Sequence, residues 1–589
     1  MSLFTYSINQ NLSTQFNVSH GFTDWVLGDG VSIKSQTGHG IYNASNYVNN
    51  AIVVRGLIEA NTQYKSGVAS DADHTTVDIR ATGNISGYNA VAVYGKGTFI
   101  YNAGTLSRSN IAIYTQGSNV RIENTASVAG KTAIYIDKVS TFDLSNMGSV
   151  SGGVGVALKG SAGFASGTLT NGATGGIQGD VAAIQIDSVK GDYITLNNDG
   201  GISSKAFAIA GGEGVETVVN TGSISGKISL GGGNDFFDNR GGVIDSAIDG
   251  GQGDDTYFLG GTSDRIKDTA GNDTVNAAFT CNLATYATIE NLTLSGTGNN
   301  NGTGNALANV IYGNLGNNVL DGGIDNILDT LRGDAGNDTY VLGAGVDNVV
   351  DLSGIDTITS TITRSLNTFT TIENLKLLGS SNINGTGNAL ANTLTGNSGN
   401  NVLDGGVDAA IDTLKGGAGN DTYILSSGTD QIIDTSGTDT ITSTVSRNLV
   451  SYSTIENLNL LGTLDITGTG NTLANKITGN SGSNALNGAA GNDVLVGGAG
   501  ADKLDGGSGT DTASYTGSAS GLTANLSKPS ANTGDAKGDA YVSIENLTGS
   551  SHNDTLTGNT GSNVLTGGTG ADKMTGGTGA DTFLFKSLR

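Results

Sequence analysis

The chain has 589 residues, among them 95 glycines, a single proline and a single cysteine, and its formal net charge is −25. One cysteine rules out an intramolecular disulfide. The acidic balance argues against nucleic acid or an anionic membrane as partner, and no apolar run reaches the ~18 residues of a membrane-spanning helix. The charge is unevenly placed: residues 1–229 hold 15 acidic and 13 basic side chains, residues 230–589 hold 38 and 15. An acidic half of that kind repels itself unless cations are bound.

Residues 1–80 contain the only tryptophan, Trp25, and an aliphatic stretch, Ala51–Val54. They read as an N-terminal cap with the first coils of a solenoid, since end repeats must close the core against water. The opening Met-Ser-Leu-Phe-Thr-Tyr has neither a basic nor a long apolar region, so no Sec-type leader is expected.

From 81 to 229 an N-x-G-x-aliphatic pattern recurs. Its asparagines are Asn102, Asn124, Asn146, Asn171, Asn198, Asn220 and, just past that stretch, Asn239, at spacings of 22, 22, 25, 27, 22 and 19 residues. Between them lie short alternating segments such as Ile111–Tyr114, Ala133–Ile136 and Ala183–Ile186. A period near 22 with two or three short strands is one coil of a right-handed parallel β-helix. An asparagine at one place in every coil predicts a hydrogen-bonded ladder at a turn, a role that suits its tolerance of left-handed backbone. No linker is visible near 230, so one stack is expected to change coil type there.

From 230 to 478 a longer unit takes over. Asp255, Asp338 and Asp421 are 83 residues apart, as are the I-E-N-L motifs at Ile289, Ile372 and Ile455, and a fourth I-E-N-L begins at Ile544. Each unit also carries an aspartate triplet, Asp264/Asp268/Asp273, Asp347/Asp351/Asp356 and Asp430/Asp434/Asp439, which reads equally as ligands or as turn caps. Around the period-83 aspartates the sequence has the form G-G-x-G-x-D followed by x-U-x with U bulky and apolar: GGQGDDTYF from Gly250, GDAGNDTYV from Gly333 and GGAGNDTYI from Gly416. Residues 479–589 hold the same nonapeptide in tandem, between Gly488 and Ser514 and again between Gly549 and Leu584. The U position is filled by Tyr257, Tyr340, Tyr423, Leu495, Leu504, Leu565 and Phe583, expected to point inward.

Glycine-rich turns that present carbonyls, closed by an aspartate, supply the hard oxygen ligands that Ca²⁺ takes six to eight at a time. One turn has too few, so stacked turns must share an ion. Turns on one edge are 18 residues apart in the tandem blocks, pairing Asp493 with Asp511, Asn484 with Asp502, Asp554 with Asp572 and Asn563 with Asp581. In the longer units the turns ending at Asp235 and Asp255, at Asn318 and Asp338, and at Asn401 and Asp421 are 20 apart. With Gly250, Gln252, Gly333, Ala335, Gly416 and Ala418 as carbonyl donors, these are the candidate metal ligands. The asparagine members carry less charge and are expected to bind more weakly.

Over 230–589 the repeats resemble the RTX (repeats-in-toxin) family, whose nonapeptide is a known Ca²⁺-binding parallel β-helix repeat. The resemblance implies an all-β fold, a parallel β-helix (β-solenoid) continuing into calcium-binding β-roll repeats, with several Ca²⁺ ions. It also implies type I export from a Gram-negative cell and an extracellular, cell-surface location. There is no H-E-x-x-H and no G-x-S-x-G, as an RTX protease or lipase would carry. The β-helix with RTX modules also resembles polysaccharide epimerases and lyases, for which Asp137, Lys138, Asp187, Lys190 and Tyr193 are the candidate face; the expected reading is nonetheless no enzyme. The final nonapeptide ends at Leu584 with almost no capping segment, which favours homo-assembly as a sheet or filament over adhesion to a cell-surface polysaccharide.

Overall fold

The structure, a computed structural model, describes residues 4–18, 23–60, 63–159, 166–323, 327–426 and 429–585. The regular secondary structure of the described chain is almost entirely short parallel β-strand, with four single-turn 3₁₀ segments and no α-helix among the described residues. It packs as two compact units, Met1–Leu315 with Ile327–Arg332, and Gly316–Asn326 with Gly333–Arg589.

In the first unit, between Phe99 and Gly232, each coil adds one strand to each of two sheets. Phe99–Asn102, Val120–Asn124, Thr141–Asn146, Ser166–Asn171, Tyr193–Asn198 and Val215–Asn220 pair in parallel, in register. The register aligns Ile100, Ile122, Leu144, Leu169, Leu196 and Val218 in one inward column, all at most 2% exposed. Strands buried on one face alternate, so the other positions of each strand can be polar. The first described strands, Phe4–Ile8, Thr23–Leu27, Ala51–Val54 and Thr76–Ile79, join the same sheet, so they belong to coils of this stack.

The asparagine ladder forms inside the wall. Nδ2 of Asn102 donates to Oδ1 of Asn124 at 2.7 Å, and the chain of donations passes through Asn146, Asn171, Asn198 and Asn220 to Asn239 at 2.7–2.8 Å. All seven side chains are at most 1% exposed. A buried amide without partners is costly, and here each amide is satisfied by its copy in the next coil.

The change of repeat near 230 happens inside this unit without a break. Val218 pairs with Phe237, Phe237 with Tyr257, Tyr257 with Val275 and Val275 with Leu292, so the core column runs on under the glycine-rich turns. Cys281 is 3% exposed, a small buried hydrophobe whose thiol pKa is pushed up to about 11 by burial. The second unit repeats the plan: Leu403, Tyr423, Ile441, Leu458, Ile477 and Leu495 pair coil by coil. After Ser514 a segment is inserted between coils, and stacking resumes when Ala540–Val542 pairs with Lys503–Asp505 and Asn546–Thr548 with Thr512–Ser514.

Candidate metal centre

In the turn Gly416–Asp421 the three glycines have two different jobs. Gly417 and Gly419 have φ of 102° and 115°, where a side chain is strained. Gly416 is not in that region. A Cβ there would sit 2.3 Å from Asp421 Oδ2 and 2.1 Å from the Tyr423 hydroxyl, so the first glycine is required for space beside the carboxylate. Gly250 and Gly333 stand in the same relation to Asp255 and Asp338.

The aspartates stack. The Asn401 N–H donates to Asp421 Oδ1 at 2.7 Å, the Asp421 N–H to Asp439 Oδ1 at 2.7 Å and the Asp439 N–H to Glu456 Oε2 at 2.9 Å. Asn318, Asp338, Asp356 and Glu373 form the same series, as do Asp235, Asp255, Asp273 and Glu290. One oxygen of each carboxylate is thereby fixed by the backbone of the neighbouring coil. In Asp235, Asp338, Asp356 and Asp421 the other oxygen, Oδ2, is buried without a hydrogen-bond partner, as is Oδ2 of the neighbouring Asp434. Buried carboxylate oxygens in that state are unfavourable unless a cation or a proton meets them.

Carboxylate oxygens converge in threes, and two of the three groups include the bare oxygens of Asp338 and Asp356 and of Asp421 and Asp434. Asp255/Asp268/Asp273, Asp338/Asp351/Asp356 and Asp421/Asp434/Asp439 each bring one carboxylate oxygen per residue to within 4.8 Å of the others. The turn aspartate thus meets two members of the following triplet. The third member stays outside: Asp264 accepts Nδ2 of Asn239, ending the asparagine ladder, and Asp430 accepts the Asp412 N–H at 3.1 Å. The triplets are therefore both caps and candidate ligands, divided by position. Tyr257 and Tyr340, fully buried as the pattern requires, also direct their hydroxyls upward to donate to Asp268 and Asp351, while the Tyr423 hydroxyl accepts the Gly416 N–H at 3.1 Å. Phe583, on the last described strand, is instead 40% exposed, with no described coil stacked over it.

Electrostatics follow from this crowding. Burial first, and then neighbouring carboxylates, push Asp235 up to about 8, Asp255, Asp273 and Asp356 to about 7, Asp338 and Asp421 to about 6, and Asp439 to about 8. Asp439 also shares a hydrogen bond with Asp434 that favours its protonated form.

The asparagine turns are built differently. Asn401 Oδ1 accepts the Asn397 N–H at 2.9 Å, and its Nδ2 donates to the Ile383 carbonyl at 2.6 Å and to Asn397 Oδ1 at 3.1 Å. Asn484 bonds in the same way to Asn480 and Ile466, and Asn563 to Asn559 and Glu545. These amides are closed by the chain itself. Asp421, held at Oδ1 by the Asn401 N–H, accordingly gathers with the carboxylates of the coil above, whereas the coil spacing alone pairs it with the Asn401 side chain. In the tandem blocks the Asn484 N–H donates to Asp502 at 2.7 Å, Asp493 to Asp511 at 2.8 Å, Asp554 to Asp572 at 3.0 Å and Asn563 to Asp581 at 3.0 Å. Asp493, Asp502 and Asp511 keep a bare buried Oδ2, and Asp502 and Asp511 are met across the insert by Asp539 and Glu545.

Of the carbonyl candidates, Gln252 accepts the Gly233 N–H at 2.8 Å, Gly333 and Gly416 direct their N–H to the tyrosine hydroxyls, Gly250 lies under Asp255, and Ala418 bridges to Ser436. Ala335 ends the strand Thr330–Ala335. The glutamates of I-E-N-L lie outside the nonapeptide spacing, yet Glu290, Glu373, Glu456 and Glu545 each close a carboxylate series, and the 83-residue recurrence of the first three motifs is the signal that marks them. On the outer face of the β-helix, Asp137, Lys159 and Asp187 align in one column, with Lys159 Nζ 4.0 Å from Asp187. Lys138 follows Asp137 at a φ of 53°, Lys190 lies between the strands Gly176–Asp187 and Tyr193–Asn198, and Tyr193 is 58% exposed.

The donor set is oxygen only, anionic, buried and repeated at coil spacing, the chemistry of a Ca²⁺ site. A family model for the RTX calcium-binding nonapeptide repeat matches residues 260–278, 294–326, 329–349, 386–432, 478–513 and 548–583. No curated protein matches the chain. The fold and these repeats define an RTX-type protein: a parallel β-solenoid whose nonapeptide turns bind Ca²⁺ and whose aspartate triads can hold it. No helix among the described residues is long and apolar enough to cross a membrane.

Proposed function

We propose that this is a secreted, calcium-dependent structural protein of a cell surface, exported unfolded by a type I system from a Gram-negative cell, that folds and then assembles with further copies of itself outside. The observation that carries this reading is the set of buried triads with bare carboxylate oxygens. Where calcium is scarce these coils must stack anion on anion; at the ~10⁻⁴–10⁻³ M affinities of extracellular modules, ion binding and folding become one equilibrium. Exposed aliphatic side chains on the repeats support self-association: Leu328 and Ile411, 83 residues apart, are 57% and 54% exposed, and Val346, Leu352 and Ile355 are exposed as well. Negative-stain microscopy at millimolar Ca²⁺ is expected to show sheets or filaments that a chelator dissolves. Particles that stay monomeric by light scattering at every calcium concentration would reject assembly while leaving calcium-coupled folding intact.

One observation favours adhesion to a polysaccharide instead. Tyr94, Tyr114 and Tyr135 stack along the outer face of the β-helix at 5.3 and 5.6 Å, beside Asp137 and Lys159. A row of ring edges and hydroxyls of that kind suits hydroxyl-rich chains. Retardation in gels containing an acidic polysaccharide, abolished by Tyr114→Ala, tests this; turnover of the polymer would move the reading to an enzyme.

A further inference from the structure

One glycine-rich turn lies upstream of every recognised repeat. Residues 211–216 read Gly-Gly-Glu-Gly-Val-Glu, followed by Thr-Val-Val, which is the nonapeptide with glutamate at its sixth place. The family match begins only at residue 260. In the structure this turn lies one coil from Leu230–Asp235, with which it shares the wall: the Gly232 N–H donates to the Gly212 carbonyl at 2.7 Å, and the Glu216 N–H to Asp235 Oδ1 at 2.7 Å. Glu216 therefore stands to Asp235 as Asp235 stands to Asp255.

The glutamate is not a surface group. It is 1% exposed, Oε1 accepts the Ser188 hydroxyl at 2.7 Å, and Oε2 is buried with no hydrogen-bond partner. Asp235 Oδ2, 2% exposed, is bare in the same way. The two carboxylates repel each other and Asp192 adds to the field at Glu216. The glycines here serve close approach rather than left-handed backbone: a Cβ on Gly212 would lie 2.3 Å from Ser188 Oγ, and one on Gly211 would lie 1.6 Å from the Leu230 carbonyl oxygen. Their missing side chains let this turn pack directly on Ser188 and on the backbone of Leu230.

We infer that Glu216 Oε2 and Asp235 Oδ2 are carboxylate ligands of a further divalent-cation site, which extends the ion column one coil into the β-helix, with Ser188 positioning the glutamate. This rests on the reading that the nonapeptide turns bind calcium. The glutamate, one methylene longer and held at Oε1 by the Ser188 hydroxyl, replaces the aspartate of the nonapeptide.

Hydrogen exchange on the full chain, with Ca²⁺ or with a chelator, tests it. At calcium about ten times the dissociation constant, linkage slows exchange of amides that open with the site about tenfold. The expected result is that slowing in 189–192 and 212–216, lost in Glu216→Gln, while the calcium response of 416–421 persists in both proteins. A response at 416–421 with none at 212–216 overturns the proposal, as does undiminished protection of 212–216 in Glu216→Gln. If neither segment responds, the calcium reading of the repeats itself fails. Should Glu216→Gln lose the strand Val215–Asn220, Glu216→Asp decides. A raised half-saturating calcium concentration confined to 189–216 supports the site, and an unchanged one overturns it.

Discussion

Asp434→Asn is the substitution that most directly separates a calcium ligand from a structural carboxylate. Asp434 brings an oxygen to within 4.8 Å of oxygens of Asp421 and Asp439, and its Oδ2 is buried without a partner. With calcium present, the amide removes one anionic ligand, and the calcium concentration needed to protect 416–439 from exchange is expected to rise at least ~10-fold, since ligand charge count sets affinity in such sites. Without calcium the sign reverses. Two ionised carboxylates at 4.8 Å repel by about 3.5 kcal/mol at an effective dielectric of ~20. Asp439, raised to about 8, takes up a proton below that pH and removes the repulsion. In a chelator Asp434→Asn is therefore expected to change little at pH 6 and to stabilise 416–439 by up to about 3.5 kcal/mol at pH 9. The assay is peptide-resolved hydrogen exchange at both pH values, with and without calcium, because a solenoid of this length need not unfold in two states. If the substitution weakens the segment at pH 9 in chelator as it does in calcium, the triad is not a cluster of mutually repelling, ion-seeking carboxylates.

The other expectations concern the wall and the turns. Asn146→Ala leaves Asn124 Nδ2 and Asn171 Oδ1 with one partner fewer inside the wall, and at 1–3 kcal/mol per orphaned group it is expected to cost about 2–4 kcal/mol, equally with and without calcium, in urea unfolding followed by exchange at 120–171. Ala489 occupies the second-glycine place of its turn with a φ of 75°. Because left-handed backbone costs a residue with a Cβ about 1–2 kcal/mol, Ala489→Gly should stabilise the local coils by about 1 kcal/mol, read as a shift of the urea midpoint of that segment. For pH, the turn aspartates have folded-state pKa values raised to about 6–8 from 3.8. In chelator their contribution is fully present below about pH 4 and is lost as pH rises through 6–8, so the calcium-free protein is expected to show more β signal in far-UV circular dichroism at pH 5 than at pH 8. With saturating calcium the order inverts, because protons compete for the ligands.

How much of this could be read in advance differs by feature. The coil period, the inward column and the asparagine ladder are visible because each coil repeats one residue type at one place, and a parallel stack puts equal places in contact. Asp493 with Asp511 follows from the same rule. The composition of the triads does not. Asp268 and Asp273 lie 13 and 18 residues past Asp255, and only the path of the intervening turn sends Asp273 and Asp268 to it while Asp264 turns to Asn239. Glu216 was hidden for a related reason: one extra methylene takes it outside the aspartate pattern, while its backbone keeps the stacking geometry.

The asparagine turns give the calcium chemistry its direction. A carboxylate turn has two neighbouring coils and could share an ion with either. Below Asp421 lies Asn401, whose amide already bonds Asn397 and the Ile383 carbonyl; above it lie Asp439 and Asp434, the latter with a bare Oδ2. The Asn480–Asn484 turn closes in the same way beneath Asp502, which is met from above by Asp539. A turn that satisfies its own amides keeps its shape whether or not an ion is near, so each such turn offers the next coil a finished edge on which to add. The carboxylate coil that follows cannot complete itself, because its bare oxygens need a cation. The alternation therefore places ion-independent coils directly beside ion-requiring ones, and confines the calcium dependence of the stack to one side of each asparagine turn.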